Sequence, residues 1–509
     1  MKRLRNRLVL TPINGTFFST PLRGISALTK LFSTGKVQKL ISNVLIINIL
    51  FFVFSSSWAL ASFTIEDEKK LGLEFYDNLE KDHLIYHDRR VDDYLSKIGH
   101  KLLAGMPTQF FEYRFSVIKS SAVNAFATPG GYVYVNIGLI NLVENEGELA
   151  GVLAHEMAHV SARHIAAIVD KSAKINIASL AAILAGAFLG GGGDMMAAVT
   201  TFSMAAATTM NLKYSREHEE DADRLGLSYL TRAGYDGRGM PDFLKIMRQY
   251  EFYSSSVPSY FLTHPGTDDR IRYLDGLLQT SYKGGGAKSL FGQLKRLQTI
   301  LRLENDNAVA NLKFFQAGLA NNADDLDFLY GVAVSQGKLG MTAQALENFQ
   351  KALKVAPQDV EILSALGIAY YNNGRPDDAL TYLNKAIAVD GENQAALFFL
   401  GKAYEAKGDY SSAIKVYKQL EAKQTADDEV LYRLAFSYGK TNNQGESHYY
   451  FGLYFKKINK MESAVFHFKE ALKSFPADSP RARDIAEQLK TEKNPRGREK
   501  EMKPPSHPG

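Results

Sequence analysis

The sequence predicts two structural units in series: a mostly helical α+β half with a small sheet, followed by an all-α solenoid of stacked helix pairs. Three observations carry this. Short aromatic and β-branched runs stand between helical stretches in the first half. A Leu-Gly-x-Ala-Tyr unit recurs with a spacing of 34 in the second. Three glycines, Gly284 to Gly286, part the two patterns. A chain of 509 residues also exceeds the ~100 to 200 of a typical domain, so division is expected.

Before the first acidic residue, Glu66, the chain carries eight bases. Ile41 to Phe54 form an apolar block behind Lys36 and Lys39, and Ala59-Leu60-Ala61 gives a small-residue cleavage pattern. Residues 1–61 therefore read as a basic leader plus signal peptide, which implies export to the periplasm, or an inner-membrane anchor if the segment is not cleaved. An acid-poor organellar transit peptide has a similar composition. Setting the eight bases aside leaves 52 Lys and Arg against 55 Asp and Glu, a balance of −3, so the mature part has no basic footprint for nucleic acid. There is no cysteine, which excludes disulfides, thiolate metal sites and thiol nucleophiles.

From Thr64 to about Met106 apolar residues recur at three- and four-residue intervals, as on a helix. Strands are expected at Tyr113 to Ile118, Val123 to Ala127 and Tyr132 to Asn136, with Pro129-Gly130-Gly131 as a turn. A long helix is expected from about Glu146 to Asp170. Ile175 to Gly193 is charge-free and ends in four glycines at 190–193, a second apolar stretch runs from Met195 to Leu212, and the two read as a pair of small-residue helices. Such a pair is either buried or makes peripheral contact with a membrane.

In the second half Leu366-Gly367-Ile368-Ala369-Tyr370 returns as Leu400-Gly401-Lys402-Ala403-Tyr404 and as Leu434-Ala435-Phe436-Ser437-Tyr438. Ala379 and Ala413 each follow a glycine by twelve residues. This is similar to the tetratricopeptide family, over roughly 305 to 475. After Ala435 the next glycine that fits the repeat, Gly452, comes only 17 residues later, which marks one irregular hairpin. Stacked helix pairs offer a concave surface, so the repeats are expected to bind a protein partner. The division is then 62–280 catalytic, 281–304 linker, 305–490 repeats and 491–509 a polar, disordered tail.

His155-Glu156-Met157-Ala158-His159 lies within the long predicted helix. Residues four apart share a helix face, so both imidazoles meet one metal ion while Glu156 is placed to take a proton from water. Catalytic zinc usually takes three protein ligands. His164 lies off the ligand face of a continuous helix and reads as a polar residue near its end. The acidic stretch Arg216 to Asp223 offers Glu217, Glu219, Glu220 and Asp221, among which charge alone does not choose.

The pairing of HExxH with Ser215-Arg216-x-x-Glu219-x-x-Ala222-Asp223-x-x-Gly226 resembles the gluzincin peptidases of the HtpX and CAAX-prenyl-protease type. The resemblance implies an α+β zincin-like metallopeptidase domain with one Zn2+ per chain, Glu219 as third ligand and Asp223 supporting a ligand histidine. It also implies that Asn124, in the Asn124 to Gly131 segment, holds substrate backbone along an edge strand. The His264-Pro265 segment, with Arg270 six residues on, is similar to the family's late segment beside the metal, which makes His264 a catalytic candidate and Arg270 a substrate-binding one. His264 has two physical roles open to it, a donor to the oxyanion or a fourth ligand that holds the enzyme latent. With the tetratricopeptide solenoid, the chain most resembles BepA-like periplasmic metallopeptidases. That implies hydrolysis of envelope proteins in outer-membrane quality control, with outer-membrane assembly machinery as a partner of the repeats. A repeat-based chaperone with a latent protease site and an organellar inner-membrane peptidase are the alternatives.

Overall fold

The computed structural model describes residues 63–107, 109–170, 177–189, 214–253, 259–282, 285–304, 307–422 and 428–493. Helices α1 (Ile65–Lys81) and α2 (Arg89–Leu103) flank a short strand, β1 (Ile85–Tyr86), that the sequence did not announce. On α2 the periodic residues Val91, Leu95, Ile98 and Leu102 are fully buried, and Asp88 caps the helix by accepting from the Arg90 N–H.

The three expected strands are present as β2 (Arg114–Ile118), β3 (Ala125–Thr128) and β4 (Tyr132–Asn136), and the sheet order is β1-β2-β4-β3. β4 runs parallel to β2 and antiparallel to β3, so β3 is an edge strand. Gly130 and Gly131, at φ of 88° and 97°, make the turn between β3 and β4 in a region that residues with side chains avoid.

After α3 (Ile137–Leu142) comes α4 (Glu146–Ser161), opened by a reciprocal capping box between Asn145 and Glu148. The single helix expected over 146–170 is broken. Arg163 takes a left-handed φ of 56°, and the chain restarts as α5 (His164–Asp170). That conformation costs about 1–2 kcal/mol in a residue with a side chain. An ion pair at 2.6 Å between Arg163 and the buried Glu68 of α1 holds it in place.

α6 (Ile177–Leu189) is the first arm of the small-residue pair; Leu180, Ile183, Leu184 and Phe188 are buried, and the helix packs on α1. The glycine turn, the second arm (Met195 to Leu212), the leader and signal segment, and all but the first three residues of the tail lie outside the described residues. No described helix is long and apolar enough to cross a membrane. α7 (Arg216–Arg232), α8 (Gly239–Tyr253), α9 (Ser259–Thr263) and α10 (Thr267–Thr280) complete this half.

The stretch read as a linker is docked. Its helix α11 (Leu294–Leu303) contributes Leu294, Leu297, Ile300 and Leu301 to the catalytic core. Just before it, the N–H groups of Leu290, Phe291 and Gly292 and the Ser289 hydroxyl donate to the carboxylate of Glu146, the first residue of α4. The hydroxyls of Tyr94 and Tyr235, each at 2.9 Å, complete that shell.

Antiparallel helices from Ala308–Asn321 to Pro480–Lys493 form the repeat array. Small residues set the spacing: a Cβ on Gly401 would lie 2.3 Å from the Tyr417 ring, and one on Gly452 would lie 2.5 Å from the Phe468 ring. The irregular hairpin has a simple cause. Helix Gln444–Lys457 packs on Asp428–Lys440 through Ser447, whose hydroxyl donates to the Ala435 carbonyl at 2.8 Å, and on Met461–Leu472 through Gly452. It closes one hairpin and opens the next, so the motif recurs after half a period. The array also touches the catalytic half, where Arg89 pairs with Asp390 and Arg90 lies 3.6 Å from Glu361.

Candidate metal centre and active site

α4 delivers His155, Glu156 and His159 into the interior, where each is at most 2% exposed. α7 crosses it closely because Gly226 has no side chain: a Cβ there would lie 3.1 Å from the backbone of Ala154 and His155. This approach brings Glu219 and Asp223, one turn apart on α7, to the histidine face. Among the four acidic candidates only Glu219 meets both imidazoles; Glu217 and Glu220 are exposed, and Asp221 faces His164.

The donor atoms converge. His155 Nε2 and His159 Nε2 are 3.0 Å apart, Glu219 reaches them at 3.4 and 3.6 Å, and His264 Nδ1 lies 3.0 Å from Glu219 Oε1 and 3.4 Å from His155 Nε2. One ligand atom from each of these four residues lies within 4.8 Å of every other. His155 Nδ1 is 3.0 Å from Asp223 Oδ1, which places the proton on Nδ1 and leaves the Nε2 lone pair pointing at the cluster. Two imidazole lone pairs and a carboxylate aimed at one point repel each other unless a cation lies between them. The nitrogen and oxygen donors suit a divalent metal of the zinc type.

The charge states of His159 and Glu219 agree with this, whereas against burial and Arg270 the hydrogen bonds to Asp223 and Glu219 raise the His155 imidazole to about 9. Burial, with the neighbouring His155 adding to it, holds the His159 imidazole well below its ordinary pKa, so its ring is neutral. Burial alone would raise Glu219, but Arg270 and His264 outweigh it and keep the carboxyl well below the usual range. Glu156 is raised by burial, and neither of its oxygens accepts a hydrogen bond. Its Oε1 lies 3.5 Å from His264 Nε2, and a buried carboxylate beside the donor cluster without a hydrogen bond is placed to take up and return a proton.

Two expected substrate contacts are placed differently. Arg270, 4% exposed, binds Asp223 at 2.7 and 2.9 Å, lies 2.8 Å from Glu219 and 3.3 Å from the His155 ring, and so braces the ligands from behind. Its charge offsets two buried carboxylates. Asn124, 1% exposed, donates to the Phe188 carbonyl at 3.0 Å, and the Phe188 ring stacks on Phe126 at 4.8 Å. The end of α6 thus rests against the strand expected to receive substrate, and the Asn124 amide is turned to it.

One residue of the site escapes the sequence reading, and another, His164, is placed by it off the ligand face. Tyr214 stacks on His159 at 3.8 Å, and its only sequence cue is its place directly before the Ser215-Arg216 motif. His164 reaches His159 because of the break at Arg163, which no glycine or proline marks.

Residues 89–278 match peptidase family M48, and residues 338–388 and 364–428 match tetratricopeptide repeats. A putative beta-barrel assembly-enhancing protease of Vibrio cholerae is 32% identical over 212 residues, 42% of this chain and 44% of that protein. The mitochondrial metalloendopeptidase OMA1 of Schizosaccharomyces pombe is 28% identical over 218 residues, 42% of this chain and 61% of that protein. This chain thus aligns with less than half the length of the Vibrio protein. Among solved structures, the tetratricopeptide protein YrrB covers 38% of this chain and 97% of its own, at 15% identity and a TM-score of 0.30. Over residues 89–278 the chain is thus similar to the M48 metallopeptidases, here joined to segments that match tetratricopeptide repeats, and it is similar to the beta-barrel assembly-enhancing proteases of the BepA type.

Proposed function

We propose that this chain is a zinc-dependent endopeptidase of the bacterial envelope that cleaves exported proteins in outer-membrane quality control. The observation that carries the reading is the convergence of His155, His159 and Glu219 on one point beside the buried Glu156, whose oxygens accept no hydrogen bond. One zinc per chain would be held by those three residues. When bound it supplies Lewis acidity toward the scissile carbonyl and an acidic water. Glu156 accepts the proton of the attacking water and returns it to the leaving amine, and its raised pKa suits both directions. Asp223 keeps the His155 tautomer, and Arg270 holds Asp223 and Glu219 in place. The repeats would recruit the substrate or a partner such as the assembly machinery. The signal segment and the beta-barrel assembly-enhancing relatives favour the periplasm over the organelle in which the OMA1 relatives act.

Latency has its own support. His264, fully buried and 3.0 Å from Glu219, stands among the ligand atoms, a position that favours the fourth-ligand role over that of an oxyanion donor. In that role it must leave before substrate binds, and His264→Ala would raise hydrolysis of a short unstructured peptide; a large fall would restore the donor role. Metal analysis tests the main reading. The full chain is expected to hold one zinc and Glu219→Ala to lose it, whereas loss on Glu217→Ala or Glu220→Ala alone would refute the assignment.

A further inference from the structure

His155 and His159 are supported from behind by different chemistry. A ligand histidine that offers Nε2 to a metal keeps its proton on Nδ1, and a carboxylate, carbonyl or water usually accepts it. For His155 that acceptor is Asp223. For His159 it is another imidazole: His164 Nδ1 lies 2.9 Å from His159 Nδ1, and His164 is 5% exposed. If His159 donates, His164 Nδ1 must be the bare acceptor. The proton of His164 then sits on Nε2, which faces Asp221 Oδ2 at 3.6 Å. The Asp221 carboxylate lies on that side of the ring without a hydrogen bond to it, and His218 stacks on His164 at 4.5 Å and 20°, fixing the plane of its ring.

The backbone is shaped to deliver this ring. In a continuous helix, five residues turn about 140°, which would carry residue 164 away from 159. The left-handed Arg163 cancels that turn, and it is held by Glu68 from α1, a helix that supplies nothing else to the donor cluster. We propose that His164 is a positioning residue for the metal: as an acceptor to His159 Nδ1–H it fixes the tautomer and aim of that ligand, and the Glu68–Arg163 turn exists to place it. The inference rests on the metal reading above.

Zinc affinity of the full chain, measured by competition with a chromogenic chelator, tests it without recourse to activity. His164→Leu removes the acceptor and is expected to weaken zinc by about tenfold to a hundredfold. His164→Asn sets an amide oxygen where Nδ1 stood and is expected to restore most of the affinity. His164→Gln, whose amide reaches the Nε2 position, is expected not to, and it takes the place of the leucine variant if that chain does not fold. Melting of the metal-free proteins checks that each is folded. Equal zinc affinity in all three, or equal loss in all three, overturns the positioning role. A failure of the unsubstituted chain to bind zinc is a different result, and it removes the metal reading together with this inference.

Discussion

The two halves of the molecule bury different kinds of residue. Among the described residues, the repeat array buries only uncharged polar side chains, Asn311, Ser335, Gln336, Ser364, Ser437 and Ser447. The catalytic half buries Glu68, Glu146, Glu148, His155, Glu156, His159, His164, Glu219, Asp223, Asp236, His264 and Arg270. Taking an ion out of water costs several kcal/mol even after relaxation, so buried charges are a poor way to gain stability. The repeats are packed for shape, through small residues facing rings. The catalytic half gathers most of that electrostatic cost around His155, His159 and Glu219, where pairing recovers part of it, while Glu68, Glu146, Glu148 and Asp236 are satisfied elsewhere by ion pairs and hydrogen bonds.

If the contrast is right, a change in one half should move chemistry and a change in the other should move stability. The largest effect is expected for Glu156→Gln, which removes a proton acceptor and no ligand. Peptide turnover should fall by about 10² to 10⁴ while zinc content and melting stay as they were. Turnover near that of the unsubstituted chain would place the base elsewhere.

Gly401→Ala probes the other half. The new methyl would meet the Tyr417 ring at 2.3 Å, so the array should lose about 1–3 kcal/mol in denaturant unfolding while hydrolysis of a short peptide is unchanged. A fall in hydrolysis of a short peptide would join what the comparison separates.

The smallest effect concerns Glu146, the buried acid that joins α4 to the docked connection. Burial pushes its carboxyl up, but the Leu290 N–H and the Tyr94 and Tyr235 hydroxyls outweigh that and leave the pKa below its ordinary 4.5. A depressed carboxyl stabilises the fold above its unfolded pKa, and that contribution disappears as pH falls through the folded one. Unfolding followed from pH 6 downward should therefore show a loss of stability below about pH 4.5 that Glu146→Gln lacks. Identical pH profiles would mean that folding leaves the Glu146 pKa unshifted.

What the sequence made legible was whatever repeats or keeps a helical spacing. The 34-residue period announced the array, the four-residue spacing of His155 and His159 announced one ligand face, and alternating apolar runs announced β2, β3 and β4. What it hid depended on tertiary context. Arg163 is a common helical residue whose left-handed conformation is imposed by Glu68, some ninety positions away, so neither the break in α4 nor the return of His164 could be read locally. The docking of residues 289–292 depends on a single distant carboxylate, and three glycines alone suggest a free tether. Asn124 and Arg270 were identified as site residues, yet their partners, Phe188 and the Asp223–Glu219 pair, come from segments whose approach no spacing encodes.

The central claim is that the charge buried around His155, His159 and Glu219 holds a metal for peptide hydrolysis. Cleavage of an unstructured polypeptide by the purified full chain tests it most directly, followed before chelation, after removal of metal, and after return of one equivalent of zinc. Cleavage should disappear with the metal and come back with zinc, and Glu156→Gln should stay inactive throughout. Cleavage that persists after complete removal of metal would contradict the account.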